Sequence, residues 1–143
     1  FWQTGRLEWL AIRCCALGVE GTKVLAKAIA EQIISPSHVD LRHCSVGHEG
    51  MEVLADMLAK DEKILNLNLG GNIMGSGGAV HIAAALQKNE ALQHLELENN
   101  GFAGPGAEAL LASISNRSKL LHLGIAGNRI GDDGSRHLVD LMR

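Results

Sequence analysis

The sequence has no tyrosine, and its aromatic residues are two tryptophans and two phenylalanines, 3% of 143 positions. A core must therefore be assembled from Leu, Ile, Val and Ala, drawn from the 46% of residues that are apolar. Cysteine is limited to Cys14, Cys15 and Cys44. An odd count without a spaced framework argues against a disulfide scaffold and for free thiols in a reducing, cytoplasmic compartment. In that compartment the Asn116-Arg117-Ser118 triplet carries no sugar. Neither sign of charge dominates: 13 Lys and Arg against 16 Asp and Glu give a formal net charge of −3. That balance argues against a nucleic-acid surface and against a polybasic membrane patch. No apolar run approaches the roughly 20 residues that cross a bilayer, and no leader pattern opens the chain. The first residues are FWQTG, without an initiator methionine, so residues 1–143 are expected to form one domain taken from a longer chain.

What the sequence does contain is a period. In the stretch LQHLELENNGFAGPG, Leu92, Leu95, Leu97 and Asn100 recur as Leu120, Leu123, Ile125 and Asn128. Upstream they recur as Ile64, Leu67, Leu69 and Asn72, then as Pro36, Val39, Leu41 and Cys44, and first as Leu7, Leu10, Ile12 and Cys15. The step is 28 residues, and 29 between Cys15 and Cys44. Six residues after each Asn or Cys stands Gly21, Gly50, Gly78, Gly106 or Gly134. Three residues after it stands Gly18, Gly47, Gly75 or Gly131, with Ala103 as the departure. Glycine at fixed offsets marks positive φ or close backbone approach.

Each unit then turns helical. Val24-Leu25 with Ala28-Ile29 is matched by Val53-Leu54 with Met57-Leu58, His81-Ile82 with Ala85-Leu86, Ala109-Leu110 with Ser113-Ile114, and His137-Leu138 with Leu141-Met142. Such steps build one apolar helical face of about three turns. His81 and His137 are expected to be half-buried packing residues on that face.

A short strand, a turn, a helix and a further parallel strand imply a right-handed crossover. One unit cannot bury its leucines alone, and five stacked units can. Strands pack about 4.8 Å apart and helices roughly 8–10 Å apart, so the stack bends with strands concave and helices convex. The predicted fold is an α/β right-handed solenoid with repeats near 7–35, 36–63, 64–91, 92–119 and 120–143. The inward Asn of each turn can donate to and accept from amides that have left the strand ladder. Cys15 and Cys44 share that column and are expected to be buried, inert thiols.

The pattern LxxLxLxx(N/C)x(L/I)Gxx(G) closely resembles the leucine-rich repeats of the ribonuclease-inhibitor type over residues 7 to 143. That class also occurs in NOD-like receptors, the Ran GTPase-activating protein, tropomodulins and many scaffold proteins. The resemblance implies a horseshoe arc and a habit of binding proteins, not an activity.

Strand residues between the leucines point outward. The third position gives Trp9, His38, Asn66, His94 and His122, and the fifth gives Ala11, Asp40, Asn68, Glu96 and Gly124. The seventh gives Arg13, Arg42, Gly70, Glu98 and Ala126, and the eighth gives Cys14, His43, Gly71, Asn99 and Gly127. This face is basic and bulky at its start, acidic in the fourth unit and small in the fifth. Trp9, Arg13 and Arg42 are residue types that anchor interfaces, and Glu96 and Glu98 suit a basic partner. The expected partner-binding set is Trp9, Arg13, His38, Asp40, Arg42, Asn68, His94, Glu96, Glu98 and His122, and the expected partner is a protein. A packing role is also open to Trp9, against residues preceding the first repeat.

Two other readings are open to these residues. By analogy with the Ran activator, Arg129 would serve a small GTPase, but no turn is lengthened to deliver it. His94, His122 and Glu96 could ligate zinc, but an open strand face offers no closed shell. Paired imidazoles there suggest a modest pH sensitivity. Gly70-Gly71 lacks the context of a phosphate loop, Asp132-Asp133 suits a helix N-terminus, and no nucleophile elbow or paired carboxylates occur. We expect no cofactor, no catalytic residue, no membrane partner and no small-molecule substrate.

Overall fold

The computed structural model describes residues 7–114, 119–132 and 134–136. The chain order is β1 (Trp9–Ala11), α1 (Gly18–Ala30), β2 (His38–Asp40), α2 (Gly47–Leu58), β3 (Asn66–Asn68), α3 (Gly75–Leu86), β4 (His94–Glu96), α4 (Gly104–Ile114) and β5 (His122–Gly124). The strands form one sheet in the order β1-β2-β3-β4-β5, each parallel to the next. Position three of every unit pairs with position three of its neighbour: Trp9 with His38, His38 with Asn66, Asn66 with His94, and His94 with His122. The helices lie in a second layer and pack in chain order, α1 on α2, α2 on α3 and α3 on α4. This is the expected α/β solenoid arc.

Between the layers runs one continuous core. Leu41, Leu69, Leu95 and Leu97 enter it from the strands, and Leu54, Leu58, Ile82 and Leu110 from the helices, each almost wholly buried. Phe102, the bulkiest fully buried side chain, occupies the position held by Val46 and Met74 in the two preceding turns. The helical apolar stripe is narrower than the sequence suggested. Val24 is 70% exposed, and Val53 and His81 in the same column are half-buried. His81 lies against His48, ring centroids 5.4 Å apart. His137 lies outside the described residues.

The glycine six residues past each turn Asn or Cys answers to close approach. A methyl on Gly50 would come within 2.6 Å of Val46 Cγ1, because the side chain two residues past the turn folds over the first turn of its helix. The glycine at the third place instead provides φ near +60 to +70° at Gly18, Gly47, Gly75 and Gly131. Gly18, Gly47 and Gly75 each donate their N–H to the next winding's turn carbonyl, on Cys44, Asn72 and Asn100. Ala103 departs from this. Its N–H goes to Ser76 Oγ at 3.0 Å, and α4 begins one residue later.

The turn column is the hydrogen-bonded spine that the sequence implied. Asn72 Nδ2 donates to Leu41 O at 2.8 Å and Leu69 O at 2.9 Å, while its Oδ1 accepts the Cys44 N–H at 2.9 Å. Asn100 donates to Leu69 O and accepts from the Asn72 N–H, and Asn128 donates to Leu97 O and accepts from the Asn100 N–H. Cys44 fills the same role with its thiol, which points at Ile12 O and Arg42 O, and burial pushes that thiol's pKa up. Cys15 does not follow. It is exposed, as is Cys14, because among the described residues no winding packs outside β1.

A second spine closes the other end of the helices. Asn89, 6% exposed, donates to Leu58 O at 2.7 Å and Asp61 O at 2.9 Å and accepts the N–H groups of Ala91 and Leu92. Asp61, 28 residues earlier, accepts the N–H groups of Lys63 and Ile64. The run Lys60-Asp61-Glu62-Lys63 is thus a structured return turn, not only a solvated one.

Ile73 has φ of +57° and is 76% exposed. A β-branched residue in the left-handed region is strained by about 1–2 kcal/mol, and this one recovers little by packing. Gly101 meets the same conformation in the next winding. Ile73→Asn is expected to stabilise the fold by about 0.5–1 kcal/mol, seen as a higher thermal midpoint. An unchanged or lower midpoint would contradict the strain.

Candidate functional site

The three-residue strands alternate inward leucines with outward polar residues, so the concave face is a grid of columns across β1 to β5. Parallel pairing in register stacks like positions side by side. In the third column Trp9 lies flat on His38, with ring centroids 5.0 Å apart and planes 6° apart. Ser37 Oγ, 2.9 Å from His38 Nδ1, fixes that imidazole. Trp9 itself remains 57% exposed, so its described neighbour is His38 and its outer face is open. At the other end His94 and His122 stack with centroids 6.0 Å apart.

The basic start of the arc is less free than its sequence implies. Asp40, 6% exposed, gathers both arginines. Arg13 Nε lies 2.9 Å from Oδ2, and Arg42 binds with two prongs, Nε at 3.0 Å from Oδ1 and Nη2 at 2.8 Å from Oδ2. Burial works against the Asp40 charge. Hydrogen bonds from Arg42, with the charges of Arg42 and Arg13, outweigh it and hold the carboxyl below its ordinary 3.8. A depressed folded-state pKa contributes stability that is complete above the unfolded value and lost as pH falls through the folded one. The stability gap between wild type and Asp40→Asn should therefore be constant above about pH 5 and shrink below about pH 4. Urea denaturation at stepped pH measures it, and a gap that does not shrink contradicts the depressed pKa.

In the fourth unit Glu96 Oε1 sits 2.7 Å from His122 Nε2. The carboxylate folds over Gly124, where a side-chain carbon would collide with it. His94, His122 and Glu96 do come together as expected, yet among the described residues no group of three or more His, Cys, Asp or Glu is arranged to hold a metal ion. Glu98 is exposed at the end of the β4 row. Arg129 is exposed in the turn after β5, its N–H bonded to Phe102 O at 2.9 Å. The eighth column presents less than the sequence suggested. Cys14, His43, Gly71, Asn99 and Gly127 all have positive φ, so this column is the backbone corner before the spine.

Between the two clusters β3 displays Asn66 and Asn68, and the row ends at the buried Gly70. Short neutral residues there leave a hollow of about 340 Å³ on the concave face. Its walls include His38 and Arg42 on one side and His94 and Glu96 on the other. Asn68 is turned to its own strand end, where Oδ1 accepts the Gly70 N–H at 3.0 Å. Sequence reasoning named most of the walls and put Asn66 on the displayed face, but left it out of the binding set and missed the depression. The signal was the lone short neutral unit between charged neighbours. A larger hollow of about 630 Å³ lies on the helical side over Ala26, Val53 and Met57. Charges of both signs ring it, and Lys23 and Lys27 are already paired with Glu20 and Glu31. No helix among the described residues is long and apolar enough to cross a membrane.

A family model described as leucine rich repeat matches residues 37–55, 88–111 and 117–139. A comparison with curated proteins gives no significant match. Leucine-rich repeats generally mediate protein–protein interaction. With five parallel strands in register, alternating helices and a turn spine repeating at that period, the chain folds as an α/β leucine-rich repeat solenoid arc.

Proposed function

We propose that the concave sheet face is a non-catalytic docking surface for a protein partner, and that the repeats are of the ribonuclease-inhibitor type. The second point is supported by the period of 28 to 29 residues, the helices of 11 to 13 residues and the interchange of Cys and Asn in the spine. The observation that carries the first is the layout of the grid. A hollow of small neutral residues on β3 is framed by Trp9, His38, Arg13 and Arg42 on one flank and by His94 and Glu96 on the other, with Glu98 exposed further along the β4 row. Aromatic and arginine residues around a depression are the composition of an interface centre, and the charged flanks set orientation. Asp40 acts by holding the two arginines in place, Asn68 completes the floor, and His122 backs the far wall through Glu96 and His94.

Affinity capture from cell lysate with quantitative mass spectrometry tests this. Trp9→Ala/Glu96→Lys/Glu98→Lys alters the concave face and leaves the Asp40 cluster intact. It should lose partners that a helical-side control, Lys23→Glu/Lys27→Glu, retains. The same partner set from all three proteins would reject the concave face as the docking surface.

A further inference from the structure

We propose that the hollow over β3 is a slot for one neutral aromatic side chain with a hydrogen-bonding edge, a tyrosine projecting from the partner polypeptide. This rests on the docking role of the concave face. The third column is a row of rings with one gap: Trp9 and His38 stack, His94 and His122 stack, and Asn66 stands between the pairs. His38 and His94 flank Asn66 across two strand intervals, roughly 9.6 Å where the strands run. A ring midway is then about 4.8 Å from each imidazole, within the 4.5–7 Å over which aromatic rings stack. The two existing pairs, at 5.0 and 6.0 Å, follow the same spacing. The guest completes an interrupted stack.

Asn66 is shorter than its ring neighbours, so the gap opens above its amide. Among the described residues none is hydrogen-bonded to that amide, which can both donate and accept. A ring entering edge-first brings its hydroxyl to the amide and its faces to the outer halves of the imidazoles. Charge selects against a cation or an anion. Asp40 is engaged by Arg13 and Arg42, Glu96 by His122, and the lining's two cations balance its two anions. A charged guest would be desolvated over a lining of no net formal charge. Residues 1–143 contain no tyrosine.

The test uses the wild-type protein and p-cresol, the side-chain analogue of tyrosine, titrated by NMR while the Asn66 side-chain amide and the His38 and His94 rings are followed. Saturable shifts confined to these groups are expected. n-Propylguanidinium and n-butylammonium, the arginine and lysine analogues, should bind at least about fivefold more weakly. His94→Ala, a change on an exposed side chain, should weaken p-cresol by about fivefold through the loss of one stacking face. Shifts that do not saturate, that map elsewhere, or that favour the guanidinium overturn the slot. If p-cresol fails while capture still depends on the concave face, the slot falls and the docking role stands. If p-cresol binds but capture is independent of that face, the assignment to a partner's tyrosine falls with the docking role.

Discussion

Asn72→Ala should destabilise the protein by about 3–5 kcal/mol, the largest effect expected of any polar substitution here. The side chain is fully buried and bonds to the preceding winding, at Leu41 O and the Cys44 N–H, and to its own, at Leu69 O. Leu69 O retains a partner after the change, because Asn100 Nδ2 also reaches it at 2.9 Å. Leu41 O and the Cys44 N–H lose the partner they have, and the weaker contact to the Val46 N–H at 3.3 Å goes with them. Each buried group left unsatisfied costs about 1–3 kcal/mol. Asn72→Cys should cost about half as much, since a thiol can donate to Leu41 O as Cys44 does to Ile12 O but cannot replace the carbonyl acceptor. Guanidinium denaturation followed by circular dichroism measures both. Equal losses for the two variants would show that the spine acts by filling space and not by pairing amides.

The second large effect separates positions that the sequence makes equivalent. Leu95→Ala should cost about 3–5 kcal/mol, and Leu10→Ala about 1–2 kcal/mol. Both are the second leucine of their unit. Leu95 is wholly buried, with β3 on one side and β5 on the other, so truncation leaves a cavity that cannot collapse. Leu10 on β1 has one described neighbouring strand and is already partly exposed, so less apolar area is returned to water. Similar costs at the two sites would mean that β1 is covered as fully as β4.

Both predictions mark a line between period and position. The period was legible because stacking forces it: each leucine must meet its counterpart one winding away, so spacing in the chain reports spacing in space. Strand, turn, helix and register followed from that, and so did the Asn spine, since a buried amide column needs donors and acceptors at every level. The second spine was readable in principle from Asp61 and Asn89, 28 residues apart, but it was hidden by the charged residues around it. The site was half legible. The outward columns named its side chains, and their charges suggested a gradient along the arc.

Sequence alone determined the solenoid, its handedness and which residues share the concave face, because those depend on local pattern and nearest-neighbour packing. Tertiary structure decided which of those residues are spent on one another. Asp40 draws in Arg13 and Arg42, Glu96 leans over Gly124 to His122, and Trp9 lies on His38. It also decided that Cys15 is exposed where Cys44 is buried, and that β3 is a depression. A column gives the direction of a side chain but not its rotamer or its reach, and those are fixed only when neighbouring windings compete for the same space and the same charge.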